Sequence, residues 1–247
     1  KSLIFSDDSQ IEIIEEPQSL TKVFIPNNLQ SFGELFFSGI KEVIVSPTNK
    51  RYKYLDNKYL LKKSDINNDI YDELVWIRKD VVNVVIPNYI KKIYPNALDG
   101  RSSISFEDDS TIEIIGERAI PFSDFSLEKI VFPPSVKVIK NEAIGNAESL
   151  TSLIFLSEEI TIESGGISMY SNNYCCLEFP NAKKIIFNCW IPEGYVIRAR
   201  RSAVLRGSLF EEEHFKPQFY DDISVSKEKL DILFEYVRSL EKKLSEY

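Results

Sequence analysis

A chain of 247 residues, 43% of them hydrophobic, is long enough to bury a substantial core as one large domain or two small ones. Its formal net charge of −8 argues against broad nucleic-acid or anionic-membrane binding, which needs a basic field. No apolar run approaches the roughly 20 residues needed to cross a bilayer, and three cysteines, Cys175, Cys176 and Cys189, are too sparse and too odd a set for a disulfide framework.

The first residues, KSLIFSDDSQ, lack the pattern of a signal peptide. The only methionine is Met169, so Lys1 reads as an internal start and an upstream signal stays open. From Phe5 the stretch FSDDSQIEIIEE begins, and from Phe106 it returns as FEDDSTIEIIGE with nine of twelve positions identical. Such self-similarity is the mark of a repeat architecture.

A shorter unit runs through the chain. It is an apolar residue, two variable ones, an apolar residue, one variable, and an apolar residue often followed by proline. It appears as Leu20, Val23, Ile25 before Pro26, as Ile40, Val43, Val45, and as Val81, Val84, Ile86 before Pro87. Next come Ile104 and Phe106, with Arg101 at the first apolar position, then Leu127, Ile130, Phe132 before Pro133. Leu150, Leu153, Phe155 and finally Leu177, Phe179 before Pro180 complete the series. Counted from Phe5, the closing apolar residues are 20, 20, 41, 20, 26, 23 and 24 apart, the 41 being a double step that holds an insertion. Proline after the last apolar residue ends a strand, having no N–H for the ladder.

Each strand is followed by apolar residues stepping by three and then four: Leu29, Phe32, Phe36; Ile90, Ile93, Ala97; Ile112, Ile115, Ala119; Val136, Ile139, Ala143. One such unit cannot bury its own apolar edge, so coils are expected to stack and fuse their ladders into one continuous core. The first segment of each unit is expected in a parallel sheet on one face, with Ile25, Ile86 and Phe132 in line in that common sheet. The second segment returns the chain across the opposite face. The small Ala97, Ala119 and Ala143 suit places where coils approach closely.

The units VVNVVIPNYIKKIYPNALDG and SLEKIVFPPSVKVIKNEAIGNAES resemble the BspA-like leucine-rich-repeat family through a repeated I-P-x-x-[IV]-x-x-I-x-x-x-A core, over roughly residues 1–180. Spacings of 20 to 26 residues lie in the leucine-rich-repeat range. The resemblance implies a curved, mostly β solenoid of α/β repeat type, and adhesion or protein binding rather than catalysis. It also implies a frequent place at the surface of bacteria and protists. Where the family has phenylalanine after the alanine, this chain has Leu98, Ile120 or Ile144, and the family's following cysteine is missing.

Residues 46–75 interrupt the array. YKYLDNKYLLKKSD carries Asp56-Asn57 between two tyrosine-rich arms, which reads as a short hairpin. Residues 181–206 read as a degenerate end cap of a solenoid spanning 1–206. Residues 207–225, with EEEHFKPQFYDD, read as a linker. Residues 226–247 read as one helix capped by Ser226. Its Leu230, Leu233, Val237, Leu240, Leu244 and Tyr247 step by three and four as a heptad seam, either for coiled-coil oligomerisation and pairing with a partner helix or for docking on the solenoid.

Candidate chemistry is thin. His214, the only histidine, sits in the acidic linker with no catalytic partner in view. Asp7-Asp8 and Asp108-Asp109 recur at matching turns; calcium would use such oxygens, but each pair offers too few ligands and suits an ordinary turn. Gly165-Gly166 reads as a sharp turn. Arg198, Arg200, Arg201 and Arg206 form the one basic cluster, read as a solvated end rather than a site for an acidic partner or RNA. Adjacent cysteines on a strand point to opposite faces, so Cys175 and Cys176 read as structural thiols, and Trp76 and Trp190 as core. No catalytic, cofactor or metal site emerges, and the chain reads as no enzyme.

The functional clue lies between the last two apolar positions of each strand, which should point outward. That row holds Ile4, Phe24, Ile44, Val85, Ser105, Val131, Ile154 and Glu178, and six of the eight are apolar. Such a stripe is either a contact surface for a protein partner or simply β-branched residues suiting a sheet. Two functions follow. One is a cytoplasmic protein-binding scaffold or structural component of a larger assembly, with no membrane span; it agrees with the absence of N-x-Ser/Thr among the fifteen asparagines. The other is a cell-surface or secreted adhesin or ligand-binding protein, which an upstream signal would favour.

Overall fold

The structure, a computed structural model, describes residues 2–14, 20–32, 39–120, 127–145, 149–167, 175–188, 196–207 and 218–219. Alternating buried and exposed residues make short strands, two to each coil. The first coil supplies β1 (Ser2–Leu3) and β2 (Ile13–Ile14), and the second supplies β3 (Lys22–Ile25) and β4 (Ser31–Phe32). The third begins with β5 (Glu42–Val45), inserts β6 (Tyr52–Leu55) and β7 (Tyr59–Lys62), and closes with β8 (Glu73–Ile77). Next come β9 (Asn83–Ile86) with β10 (Lys92–Ile93), and β11 (Ser103–Phe106) with β12 (Ile114–Ile115). They are followed by β13 (Lys129–Phe132) with β14 (Val138–Ile139), and β15 (Ser152–Phe155) with β16 (Glu159–Ile162). The last coils hold β17 (Cys176–Phe179) with β18 (Lys184–Phe187), and β19 (Val196–Ala199) with β20 (Val204–Gly207), before β21 (Gln218–Phe219).

The result is a mostly β solenoid with parallel strands on both faces. The return segments, expected only to cross the opposite face, form the longest sheet: β20-β18-β16-β14-β12-β10-β8, continued by the antiparallel β7 and β6. Its register places Leu74, Ile93, Ile115, Ile139, Ile162 and Phe187 side by side, all buried. Ile120, Ile144 and Ile167 are bridged in the same parallel sense. Ala97, Ala119 and Ala143 stand where coils touch: the amides of Leu98 and Ile120 donate to the carbonyls of Ala119 and Ala143 at 3.1 and 2.9 Å. The residue before each alanine, Asn96, Arg118 or Glu142, has a φ of 59°, 49° or 51°, and Gly165 takes that left-handed position in the next coil at 65°. This explains Gly165-Gly166 as a coil corner, since glycine adopts that backbone at no steric cost.

The first face corrects the expectation of one common sheet. Ile25, Ile86 and Phe132 hold equivalent, fully buried places, but they lie in three separate sheets, of order β1-β3-β5, β9-β11 and β13-β15-β17-β19-β21. The interior is likewise divided. Ile25 packs in a cluster with Leu20, Val43, Tyr52, Leu60 and Trp76, whereas Ile86 and Phe132 belong to the larger cluster running to Ala199.

The cause of the first break is the insertion. β6 and β7 form an antiparallel hairpin turned at Asp56 and Asn57, both with positive φ, and β7 pairs antiparallel with β8. Two extra strands on the second face hold β5 and β9 apart on the first. β8 is buried along its whole length, with Trp76 facing one cluster and Leu74 and Ile77 the other. The second break lies between β11 and β13, across the 26-residue step from Phe106 to Phe132.

Beyond Pro180 the looser sequence still keeps both pairings. β19 aligns with β17 and β20 with β18, and Arg198 and Ala199 of β19 pair with Gln218 and Phe219. The helix expected over 226–247, with Leu230, Leu233, Val237, Leu240 and Leu244, lies outside the described residues, as do His214, Cys189 and Trp190.

Candidate functional site

Alternation along each first-face strand turns one row inward and the next outward. In β9 Val84 and Ile86 are buried while Asn83 and Val85 are exposed. The outward row carries the candidate contact residues. Ile4 is 68% exposed, Val85 49%, Ile44 39% and Val131 38%, while Phe24 and Ile154 are half-buried. Ladder register brings two pairs together: Phe24 beside Ile44, and Val131 beside Ile154. Val85 has Ser105 for its neighbour.

The stripe is therefore segmented. After Ile44 the hairpin intervenes, and Tyr54, Asn57 and Arg78 line a hollow of about 530 Å3 beside β5. The Tyr59 hydroxyl reaches across to donate to the Val85 carbonyl at 3.3 Å. After Ile154 the row turns polar through Glu178 and Arg198, which are register neighbours.

The second face has an outward row of its own: Lys92, Ile114, Val138, Thr161, Ile186 and Arg206. β-Branched residues alone therefore do not mark a site. The two rows differ in their borders. On the second face, Lys137–Glu113 at 2.6 Å, Lys140–Glu163 at 2.6 Å and Lys183–Glu158 at 2.7 Å fence the row with charge. On the first face Lys22 and Glu42 pair at 2.7 Å, Ser103 bonds Asn83 and Ser152 bonds Glu178, while Lys129 and the turn at Glu107, Asp108 and Asp109 add charge beside Val131.

Buried polar groups are concentrated around the insertion. Arg101 is 3% exposed and stands where other coils have an apolar residue. Its guanidinium donates to the carbonyls of Ile77, Arg78 and Val81 at 3.0, 3.1 and 2.6 Å. Asp72, fully buried, accepts from the Ser64 amide and hydroxyl at 2.9 and 2.8 Å and faces the Lys91 ammonium at 3.3 Å. The Lys62 ammonium donates to the Tyr94 hydroxyl at 2.6 Å and lies 3.1 Å from Glu73, to which Tyr94 donates in turn. Although burial works against it, these partners hold the Lys62 ammonium above the usual lysine range. These networks tie the insertion to the coil that follows, and their atoms are engaged with one another.

The other singled-out residues fall as follows. Cys175 is buried and Cys176 half-buried on the opposite side of β17. Burial pushes the Cys175 thiol up to about 12 and raises that of Cys176 as well. Trp76 is core. Arg200, Arg201 and Arg206 are exposed and Arg198 half-buried, with Arg200 donating to the Pro180 carbonyl. Among the described residues no group of three or more His, Cys, Asp or Glu side chains is placed to hold a metal ion. Nor is any helix there long and apolar enough to cross a membrane.

One feature escaped the sequence reading. A cleft of about 840 Å3 opens at the break between β11 and β13, lined by Glu107, Asp108, Asp109, Val131, Pro134 and Leu156 among others. The long step at 106–132 and the paired aspartates were its visible signs.

A family model described as BspA type Leucine rich repeat region matches residues 65–189 in 6 copies. No curated protein and no solved structure matches the chain.

Proposed function

The chain belongs to the BspA-type leucine-rich-repeat family, and from that premise we propose that it is a non-catalytic protein-binding scaffold or structural component of a larger assembly. Repeats of this kind suggest a binding or structural role, and the family is generally non-enzymatic. The contact surface is the outward row of the first face: Ile4, Phe24, Ile44, Val85, Val131 and Ile154. The observation that carries this reading is the exposure of four of these apolar side chains along one face, with Phe24 beside Ile44 and Val131 beside Ile154 in register. Removing such side chains from water on contact contributes roughly 25 cal/mol for each Å2 of apolar surface covered.

Residues 226–247 supply a second means of assembly in this reading, through the heptad seam Leu230, Leu233, Val237, Leu240 and Leu244. Affinity capture with and without residues 223–247, read by mass spectrometry, names the partners and the segment that recruits them. Phe24→Glu combined with Ile154→Lys is expected to abolish capture while leaving the circular dichroism melt unchanged. Undiminished capture by this variant removes the first face from consideration.

A cell-surface adhesin or ligand-binding protein is the second reading, favoured by the family match. Protease shaving of intact cells separates the two: release of this chain's peptides supports the adhesin, and their full protection supports the scaffold.

A further inference from the structure

We propose that the cleft between β11 and β13 is a binding slot for an extended peptide segment of a partner protein carrying arginine or lysine. The opening follows from a local loss of coil-to-coil bonding. On the second face β12 and β14 stay paired, Ile114 with Val138 and Ile115 with Ile139. On the first face β9–β11 and β13–β15 are each laddered over four residues, yet among the described residues no ladder joins β11 to β13. The two coils stay side by side, laddered on the second face and without a ladder on the first.

A second tie between coils fails at the same step. Elsewhere a polar turn side chain reaches to the neighbouring turn: Asn28 to the Ser9 carbonyl, Asn49 to that of Pro26, Asn88 to that of Asp108, and Asn181 to that of Leu156. Here the facing turn offers Pro134, which has no N–H, and Ser135, whose hydroxyl oxygen is buried without a hydrogen-bond partner.

The lining has two characters. Val131, Pro134 and Leu156 give it apolar surface, and Glu107, Asp108 and Asp109 give it an acidic rim facing the single ammonium of Lys129. The Glu107 carboxylate accepts from the Asn88 amide at 3.0 Å. The side chains of Asp108 and Asp109 are exposed and have no partner among the described residues, unlike the carboxylates of Glu113, Glu158 and Glu163 on the second face. Two uncompensated carboxylates beside an apolar floor select a cationic side chain on a hydrocarbon stem, which arginine and lysine both provide. β11 and β13 stay too close for a further strand between them, so the peptide lies over the step along the cleft. A volume near 840 Å3 is in the range that holds a short peptide segment.

The slot shares Val131 with the stripe but does not depend on the stripe being a contact surface. The test uses the full chain and fluorescein-labelled capped hexapeptides, one alternating valine with arginine and one alternating valine with glutamate, read by anisotropy at physiological salt. The arginine peptide is expected to bind saturably and the glutamate peptide not to bind. Asp108→Asn with Asp109→Asn should weaken binding by about tenfold or more. Asparagine keeps the shape and tolerates the left-handed backbone at Asp109, where φ is 57°. Glu113→Gln with Glu158→Gln removes the same charge from the second face, and Phe24→Glu alters the stripe away from the cleft; both should leave the affinity unchanged. Equal binding by the Asp108/Asp109 variant and the unaltered chain, or an equal loss in the second-face variant, overturns the proposal. Loss of partner capture by Phe24→Glu with peptide binding intact separates the stripe from the slot.

Discussion

The rings of Phe106 and Phe132 lie 5.9 Å apart and tilted by 47°, whereas Phe132 and Phe155 stack at 4.9 Å and 8°, and Phe155 and Phe179 at 5.1 Å and 12°. Ring geometry follows the backbone: where strands are laddered in register the rings lie face over face, and where the ladder is missing they turn. Phe155, fully buried between two stacked neighbours, should cost about 3–5 kcal/mol when replaced by alanine. Phe106, half-buried at the unladdered step, should cost less under the same change. Urea denaturation of the two variants checks the order, and equal losses would deny that the break weakens packing.

Arg101 shows how an apolar position is filled by a charge. Three carbonyls, of Ile77, Arg78 and Val81, have its guanidinium as donor. Arg101→Leu restores the apolar pattern but strands those carbonyls, so a loss of about 3 kcal/mol or more is expected. A leucine variant as stable as the unaltered chain would show that the arginine is merely tolerated.

Asp72 ties residue 64 of the insertion to residue 91 of the next coil. Burial by itself would raise its carboxyl, but the hydrogen bonds from Ser64 and Lys91 outweigh that and hold it below the usual carboxylate range. A lowered folded-state pKa contributes stability above the unfolded value, about 3.9, that is lost as pH falls through the folded value. The stability gap between the unaltered chain and Asp72→Asn should be widest near neutrality and close below about pH 4. A gap independent of pH would mean that the charge contributes nothing.

Thiol reactivity offers a direct check on the interior. With its thiol pushed to about 12 by burial, Cys175 has almost no thiolate at pH 8. Iodoacetamide on the native chain should leave Cys175 unmodified, and urea should expose it. Rapid native alkylation at Cys175 would contradict its place in the core.

Much of this architecture could be read from the residues. Val84, Ile86, Ile130, Phe132, Leu153, Phe155, Leu177 and Phe179 alternate with outward residues, and proline or a polar turn follows each pair, so inward and outward rows were legible. The second-face strands were less so, because two-residue strands such as Ile114–Ile115 carry no alternation and become strands only through register with their neighbours. The breaks in the first face were hidden for a similar reason. Apolar spacing reports which side chains point inward, but whether β11 reaches β13 depends on the path of the 22 residues between them. Arg101 was visible as an exception, but its role needed the carbonyls that only folding brings near it. The acidic pair at 108–109 suited an ordinary turn until the opposite turn proved to be Pro134 and Ser135.

The most direct test of the first face as the contact surface compares two residues of matched exposure on opposite faces. Val131 is 38% exposed on the first face and Ile114 37% on the second. A photo-crosslinking amino acid placed at each in turn, irradiated in lysate, should give a discrete partner adduct from position 131 and none from position 114. Adducts of equal yield from both positions, or from position 114 alone, would contradict the account.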